Sequence, residues 1–440
     1  MKNFLNEIKG FLNESRGNLK YFIKWSIFSL AAGIFGGVTG ACFSLAVVKA
    51  TEVRVRNPWL LFLMPLAGLI IVFIHGMFNQ RGNKGTNLVL EAVRGDSAID
   101  RPIIPLMFVS TVLSHLVGAS VGREGAALQM GGGIGSILGK AFHFDEKDRR
   151  VAVMAGTSAL FAAVFGTPIA AAVFAIEVIS VGIMYFSALV PCVFSAFIGY
   201  GISEALGTDF EMFMLNTVPK LSLRSMAMII LLGICCAITA VFFCAVMRKA
   251  NELYNKIFKE NYYLRILAAS AIFIILTLLT GTDLYEGTSI GIIERSFEGN
   301  VPYEAFILKI IFTAIALGGK FKGGEIVPTF CIGAALGCTF GRLVGFSPEL
   351  CAACGMAGLF VGVTNCPVST LIISLEMMST AAMPFYSVVI AVSFAFSGYT
   401  GLYGSQRIMY SKTKSEFINI TVAGGNQERK NPCSDSRSNQ

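Results

Sequence analysis

Four carboxylates sit within or beside apolar sequence in this 440-residue chain: Glu124, Glu177, Glu325 and Glu376. Glu124 follows Gly122-Arg123 and precedes Gly125, while Glu325 follows Gly323-Gly324 and precedes Ile326-Val327-Pro328. An ionisable group in apolar surroundings is costly to keep charged and is a functional site by default, able to take up or release a proton. The flanking glycines permit tight turns, and the runs from Ala126 and Pro328 can open helices. A third glycine-rich segment, Gly82-Asn83-Lys84-Gly85-Thr86-Asn87, stands before the run that starts at Leu88. Helices that begin at membrane depth are tolerated where they face a cavity, and their first amides present a positive dipole end. The three segments therefore make a candidate anion site. Each also has a plainer reading. Arg123 and Glu124 could form an ion pair at a helix end, Glu325, Thr86 and Asn87 could be N-caps, and Glu177 and Glu376 could bond neighbouring helix ends.

The elements that must position these groups are membrane helices. The chain is 54% hydrophobic and 14% charged, with mean hydropathy +0.67, far from a soluble domain. Trp25–Val48, Pro102–Val121, Val151–Ile176, Met226–Met247, Cys351–Leu375 and Ala381–Tyr403 contain no Asp, Glu, Lys or Arg. Each has the roughly 20 residues a crossing needs. Ile266–Leu279 and Ile310–Gly319 are too short for a simple crossing and read as broken or re-entrant helices. Residues 1–24 carry Lys2, Lys9, Arg16, Lys20 and Lys24 against Glu7 and Glu14, which predicts a cytoplasmic amino terminus of a multi-pass cell-membrane protein. The segment does not read as a signal peptide. The net charge of +8 is spread over termini and loops, which suits a lipid surface; no nucleic-acid-binding motif is present.

The chain also repeats itself. Leu160–Glu177 and Leu359–Glu376 share Leu, Phe, Val, Pro and Glu in register, and Pro168/Pro367 with Glu177/Glu376 are rare residue types for such sequence. This predicts two membrane repeats, 25–207 and 221–411, with substrate near their interface, and a polar tail at 412–440 whose last part is disordered. Most of the eleven cysteines read as buried small hydrophobes. The Cys351–Cys354 pair has no second pair or histidine near it in sequence. His75, His115 and His143 form no motif, and no nucleotide loop or nucleophile elbow appears, so neither an enzyme nor a cofactor is expected.

Gly122-Arg123-Glu124-Gly125 resembles the GREGP signature of the CLC chloride channels and antiporters, with Ala126 in place of its proline. The two Pro-to-Glu segments and Gly323–Pro328 are similar to that family's motifs in the same order, over nearly the whole membrane portion. The resemblance implies an all-α polytopic fold of two inverted repeats with broken and re-entrant helices, and a homodimer with one anion pathway per subunit. It implies Glu124 as the gating and proton-coupling carboxylate. It also implies an anion site drawn from Thr86, Asn87, Gly122, Arg123, Gly125, Ile326, Val327 and the hydroxyl of Tyr403, with Tyr399 as a competitor. The departures point to one branch. Gly85-Thr86-Asn87-Leu88-Val89 stands where chloride members have GSGIP, Glu325 replaces an apolar residue, and Val178 occupies the place of their internal proton acceptor. All three resemble the bacterial fluoride-specific branch, whose members exchange fluoride for protons; a second register would put Asn83 in place of the GSGIP serine.

The expected activity is thus export of fluoride in exchange for protons. A chloride/proton antiporter or passive anion channel is the rival within the family, and a cation or organic-solute transporter the rival outside it. Glycine-flanked helix starts favour anions over cations.

Overall fold

The computed structural model describes residues 2–423. In chain order the first helices are α1 (Lys2–Arg56), α2 (Met64–Met77), α3 (Asn87–Arg94), α4 (Ile103–Leu116), α5 (Glu124–Ala141), α6 (Glu146–Phe165), α7 (Pro168–Glu177) and α8 (Leu189–Ala205). A second series follows: α9 (Leu223–Phe258), α10 (Tyr262–Thr280), α11 (Ile290–Phe297), α12 (Ala305–Gly318), α13 (Ile326–Val344), α14 (Pro348–Thr364), α15 (Pro367–Met377) and α16 (Met383–Phe396). The second series echoes the first. α3 and α11 have eight residues each, and α4 and α12 have fourteen each. α5 packs along α6 and α13 along α14, with Gly135 against the Ala152 backbone and Gly337 against that of Cys351. Cys351 thus occupies a packing position, buried at a close helix crossing.

Six helical segments among the described residues are long and apolar enough to cross a membrane: 17–56, 58–77, 186–205, 223–258, 262–280 and 326–344. The charge-free runs correspond only in part. Val151–Ile176 is broken at Gly166, whose positive φ ends α6 before Pro168 opens α7, and Cys351–Leu375 breaks in the same way at Asn365 before Pro367. Pro102–Val121 yields only the fourteen residues of α4, and Ala381–Tyr403 only α16. Conversely, Ile266–Leu279 lies inside the nineteen-residue α10, so the short-helix expectation fails there; the flanks Tyr262–Arg265 complete it. Apolar side chains on α1, α2, α9 and α10, such as Phe35, Phe73, Phe242 and Ile275, remain exposed, as lipid-facing positions would be. α5, α6, α13 and α14 are almost wholly buried and form the centre.

The segment expected to be a polar tail is folded in its first part. β1 (Ser180–Val181) pairs in parallel with β2 (Arg407–Tyr410), which pairs antiparallel with β3 (Phe417–Thr421). Ile418 and Ile420 pack toward Val181, Ile408 and Val422, a period-two pattern within otherwise polar sequence. The disorder expected of the last part falls on residues 424–440, outside the described residues.

Candidate functional site

α5 and α13 start side by side at the centre of the protein. Gly122 and Gly324 form an isolated antiparallel bridge, each amide donating to the other's carbonyl at 2.7 Å. The approach requires glycine: a Cβ on Gly125 would stand 2.6 Å from the Gly324 Cα. The helix starts bearing Glu124 and Glu325 are thereby locked together, and the first turn of α13, with Ile326 and Val327, is buried beside them.

Glu124 is 1% exposed. Its Oε2 accepts from the Arg123 amide at 3.1 Å, folding the carboxylate back over its own helix start, and its Oε1 lies 3.5 Å from Arg123 Nε without a hydrogen-bond partner. The other arm of Arg123 pairs with Glu211 at 3.2 Å. Tyr403 is 2% exposed and its hydroxyl has no hydrogen-bond partner among the described residues. Its competitor Tyr399 is engaged with the Ser411 hydroxyl at 2.7 Å. Of the two tyrosines, Tyr403 is the one whose buried hydroxyl makes no hydrogen bond among the described residues.

Two vestibules approach this centre and share no lining residue. The larger, of about 540 Å³, is walled by Asn83, Asn87, Gln129, Lys320, Lys322 and Glu325 among others; with Lys84 and Arg248 it presents four cationic side chains against one carboxylate. Such a funnel raises the local concentration of anions. The smaller, of about 380 Å³, ends on Arg123, Glu211 and Thr288. Glu124, covered from both, lies between Arg123 on one side and Gly323–Glu325 on the other.

The structure spreads the remaining expected residues around the larger vestibule. Thr86 is buried at the N-cap of α3 and makes no side-chain capping bond; nor does Glu325 at the N-cap of α13, so neither serves as a conventional cap. Asn87 Oδ1 accepts from the Ser405 amide at 2.8 Å, and its Nδ2 donates only a long bond to Lys84 O at 3.4 Å. Asn83 is held at both ends, accepting from Gly85 N at 2.8 Å and donating to Gln129 at 3.3 Å. One face of α3, Asn87, Glu91 and Arg94, docks on Ser405: Glu91 accepts the serine hydroxyl at 2.9 Å and Arg94 donates to the serine carbonyl. Burial raises the Glu91 carboxyl, but the bonds from Lys84 and Ser405 and the Lys84 charge outweigh that and hold it below the ordinary carboxylate range.

Ser405, Glu211 and Gln129 join these surroundings without belonging to any of the candidate site residues above. Gln129 is a lone amide in the apolar face of α5, which is a readable signal; Glu211 lies in the irregular stretch before α9 and has none.

The fold and the paired helix starts define an anion-channel and transporter architecture, and the chain belongs to the voltage-gated chloride channel family, which it matches over residues 67–398. It is 32% identical over 401 residues to a chloride/fluoride channel protein of Pseudomonas syringae pv. tomato, covering 90% of this chain and 88% of that one. It superimposes on the crystal structure of a CLC-type fluoride/proton antiporter with TM-score 0.84 and 28% identity, covering 88% of this chain and 98% of the other. A slow cyanobacterial Cl-/H+ antiporter shares the fold at TM-score 0.72 and 20% identity, covering 85% and 94%.

Proposed function

We propose that this protein is a secondary transporter that exports fluoride in exchange for protons. The observation that carries the reading is Glu124: a buried carboxylate with one oxygen held by no hydrogen bond and only by the Arg123 charge, folded over an anion-attracting helix start between two vestibules. The chloride/fluoride and fluoride/proton relatives support the choice of ion.

In this reading the ionised Glu124 carboxylate occupies the anion's own place, because it satisfies the same amides. Protonation neutralises it and frees it to swing away, so anion and proton compete for one position and their movements are coupled. Fluoride is small and strongly hydrated, and burying a bare charge costs on the order of tens of kcal/mol at low dielectric. Amides at the starts of α3, α5 and α13, the Asn87 amide and the Tyr403 hydroxyl supply donors in exchange for water. Glu325, which lines the larger vestibule, would exchange protons with that side.

Residues 25–207 and 221–411 serve as the two repeats, supported by the recurrence of helix lengths between them. The amino terminus and the larger, cationic vestibule face the cytoplasm of a cell membrane, consistent with the basic residues at both. The working unit is a homodimer, by likeness to the family. It catalyses no covalent reaction. Fluoride efflux from liposomes holding the pure protein, read with a fluoride electrode, tests the proposal; no efflux above empty liposomes would overturn it.

A further inference from the structure

Lys309 on α12 is wholly buried and forms no ion pair with a carboxylate among the described residues; its ammonium is instead surrounded by oxygen. It donates to the hydroxyls of Ser289 at 2.7 Å and Ser120 at 2.8 Å, and to the carbonyls of Gly287 at 3.1 Å and Tyr285 at 3.3 Å. An ammonium has three protons, so four neutral oxygens are more than it needs for hydrogen bonding. Two hydroxyls and two carbonyls about one point are the kind of cage that holds a monovalent cation. Nearby, Glu286 is tied to Arg54 at 2.5 Å and leaves its second oxygen unpartnered.

The cage joins two pieces of chain that meet the candidate site. Ser120 lies in the segment that runs into Gly122 and Glu124, and a second tie holds the same segment, from Gly287 N to Gly118 O at 3.0 Å. Tyr285–Ser289 leads into α11, and Thr288 within it lines the smaller vestibule beside Arg123. Cys331 on α13 completes the junction, its thiol donating to the carbonyls of Thr288 and Ser289 at 3.2 and 3.3 Å. Neutral oxygens alone would leave these pieces repelling through their dipoles; a cation at the centre draws them together.

We propose that Lys309 is a positioning residue whose ammonium acts as a resident monovalent cation, clamping the Ser120–Glu124 segment to the Tyr285–Ser289 loop and so setting where the Glu124 carboxylate rests. Its transport consequence rests on the reading of Glu124 as the coupling carboxylate; the cage itself does not.

The experiment has two arms. In detergent, Lys309→Ala leaves an oxygen-lined void, and methylammonium should raise its melting temperature towards that of the wild type. Tetramethylammonium at the same concentration is too large and should not, and neither cation should shift Lys309→Met, whose side chain fills the space without charge. Absence of a selective methylammonium effect on Lys309→Ala overturns the resident-cation assignment. In liposomes, Lys309→Met should slow fluoride movement by about tenfold, the scale of one lost charged hydrogen bond, and lower the protons moved per fluoride. Where that variant yields no folded protein, Ser120→Ala, which removes one cage oxygen, should lower the same ratio. A wild-type proton-to-fluoride ratio in whichever of the two folds overturns the positioning role. A wild type that moves no fluoride instead overturns the proposed function, and the melting arm still decides the cage.

Discussion

Glu177 and Glu376 complete each other's helices. Glu177, at the end of α7, accepts from the amides of Val368 at 3.0 Å and Ser369 at 2.7 Å at the start of α15, and from the Ser369 hydroxyl. Glu376, near the end of α15, accepts from Ile169 at 3.0 Å and Ala170 at 2.8 Å at the start of α7. First-turn amides have no partners within their helix, so each carboxylate satisfies orphan donors while facing the positive end of a dipole. Such reciprocity is what a local two-fold relation between the repeats requires.

Both carboxylates are thereby committed to structure. Glu177→Gln keeps one acceptor but turns an amide donor toward donors, and should cost about 1–3 kcal/mol of stability. In the folded fraction, coupled exchange should persist. Differential scanning of the detergent-solubilised protein reads the first effect and liposome flux the second. Loss of proton movement with fluoride movement intact would make Glu177 a proton station after all.

Glu124→Gln should behave in the opposite sense. It leaves the helix start nearly unchanged in shape but cannot ionise, so the proton has nothing to neutralise. Proton movement driven by a fluoride gradient should vanish, with turnover blocked or greatly slowed. Uphill proton transport in this variant, followed with a pH electrode, would refute the assignment.

What was legible in the sequence, and what was not, follows from the range of the interactions. Pro168, Pro367 and their glutamates could be paired because broken helices need local punctuation at each break, and that is written in consecutive residues. Tyr403 and Tyr399 could not be separated, since the distinction lies in a hydroxyl bond from Tyr399 to Ser411 across a turn. Ser405 and Lys309 stayed invisible for a stronger reason. The partners of Ser405 lie over 300 residues away in the chain, and those of Lys309 come from two separate segments. The strand Phe417–Thr421 was lost because five residues of alternation do not stand out from a polar tail without the partner strand Arg407–Tyr410, itself paired with the two-residue strand that follows α7.

The close crossing of α5 on α13 makes a steric test. In Gly125→Ala the new methyl would meet the Gly324 Cα at 2.6 Å, a backbone atom that cannot turn aside. Overpacking of this kind should cost about 1–3 kcal/mol, and it would pry apart the Gly122–Gly324 bridge. The expected outcome is a lower melting temperature together with slowed exchange; a variant with wild-type melting and flux would show that the two helix starts are not held as described.

Glu91 offers a test in pH. Its folded carboxyl sits below the ordinary range, so the clasp it forms with Lys84 and Ser405 contributes stability that is fully present above the unfolded-state value and lost as pH falls through the folded one. Glu91→Gln should therefore melt below the wild type at neutral pH, and the difference should close in acid. A gap that is constant with pH would mean the carboxylate charge is not what holds α3 to Ser405.

Selectivity is the sharpest demand on the site. A fluoride site needs compact, strong donors, whereas the larger chloride ion accepts a wider and softer cage. Asn87 and Asn83 both line the larger vestibule, but their amides differ in how firmly they are held. Asn83 is fixed at both ends by Gly85 and Gln129, while the Asn87 donor end makes only the 3.4 Å bond to Lys84 O and can turn to an ion. The wild type should move fluoride far faster than chloride under equal gradients. Asn87→Gly should cut that ratio by about tenfold, the worth of one hydrogen bond to a charged partner, while Asn83→Gly leaves it larger. The Asn87 change also frees the Ser405 amide, so absolute rates will fall; the ratio of the two anions, measured in the same vesicle preparation, separates lost selectivity from a loosened loop. A greater narrowing in Asn83→Gly would move the donor to the other register. Comparable chloride and fluoride rates in the wild type would refute fluoride specificity and leave the fold as it stands.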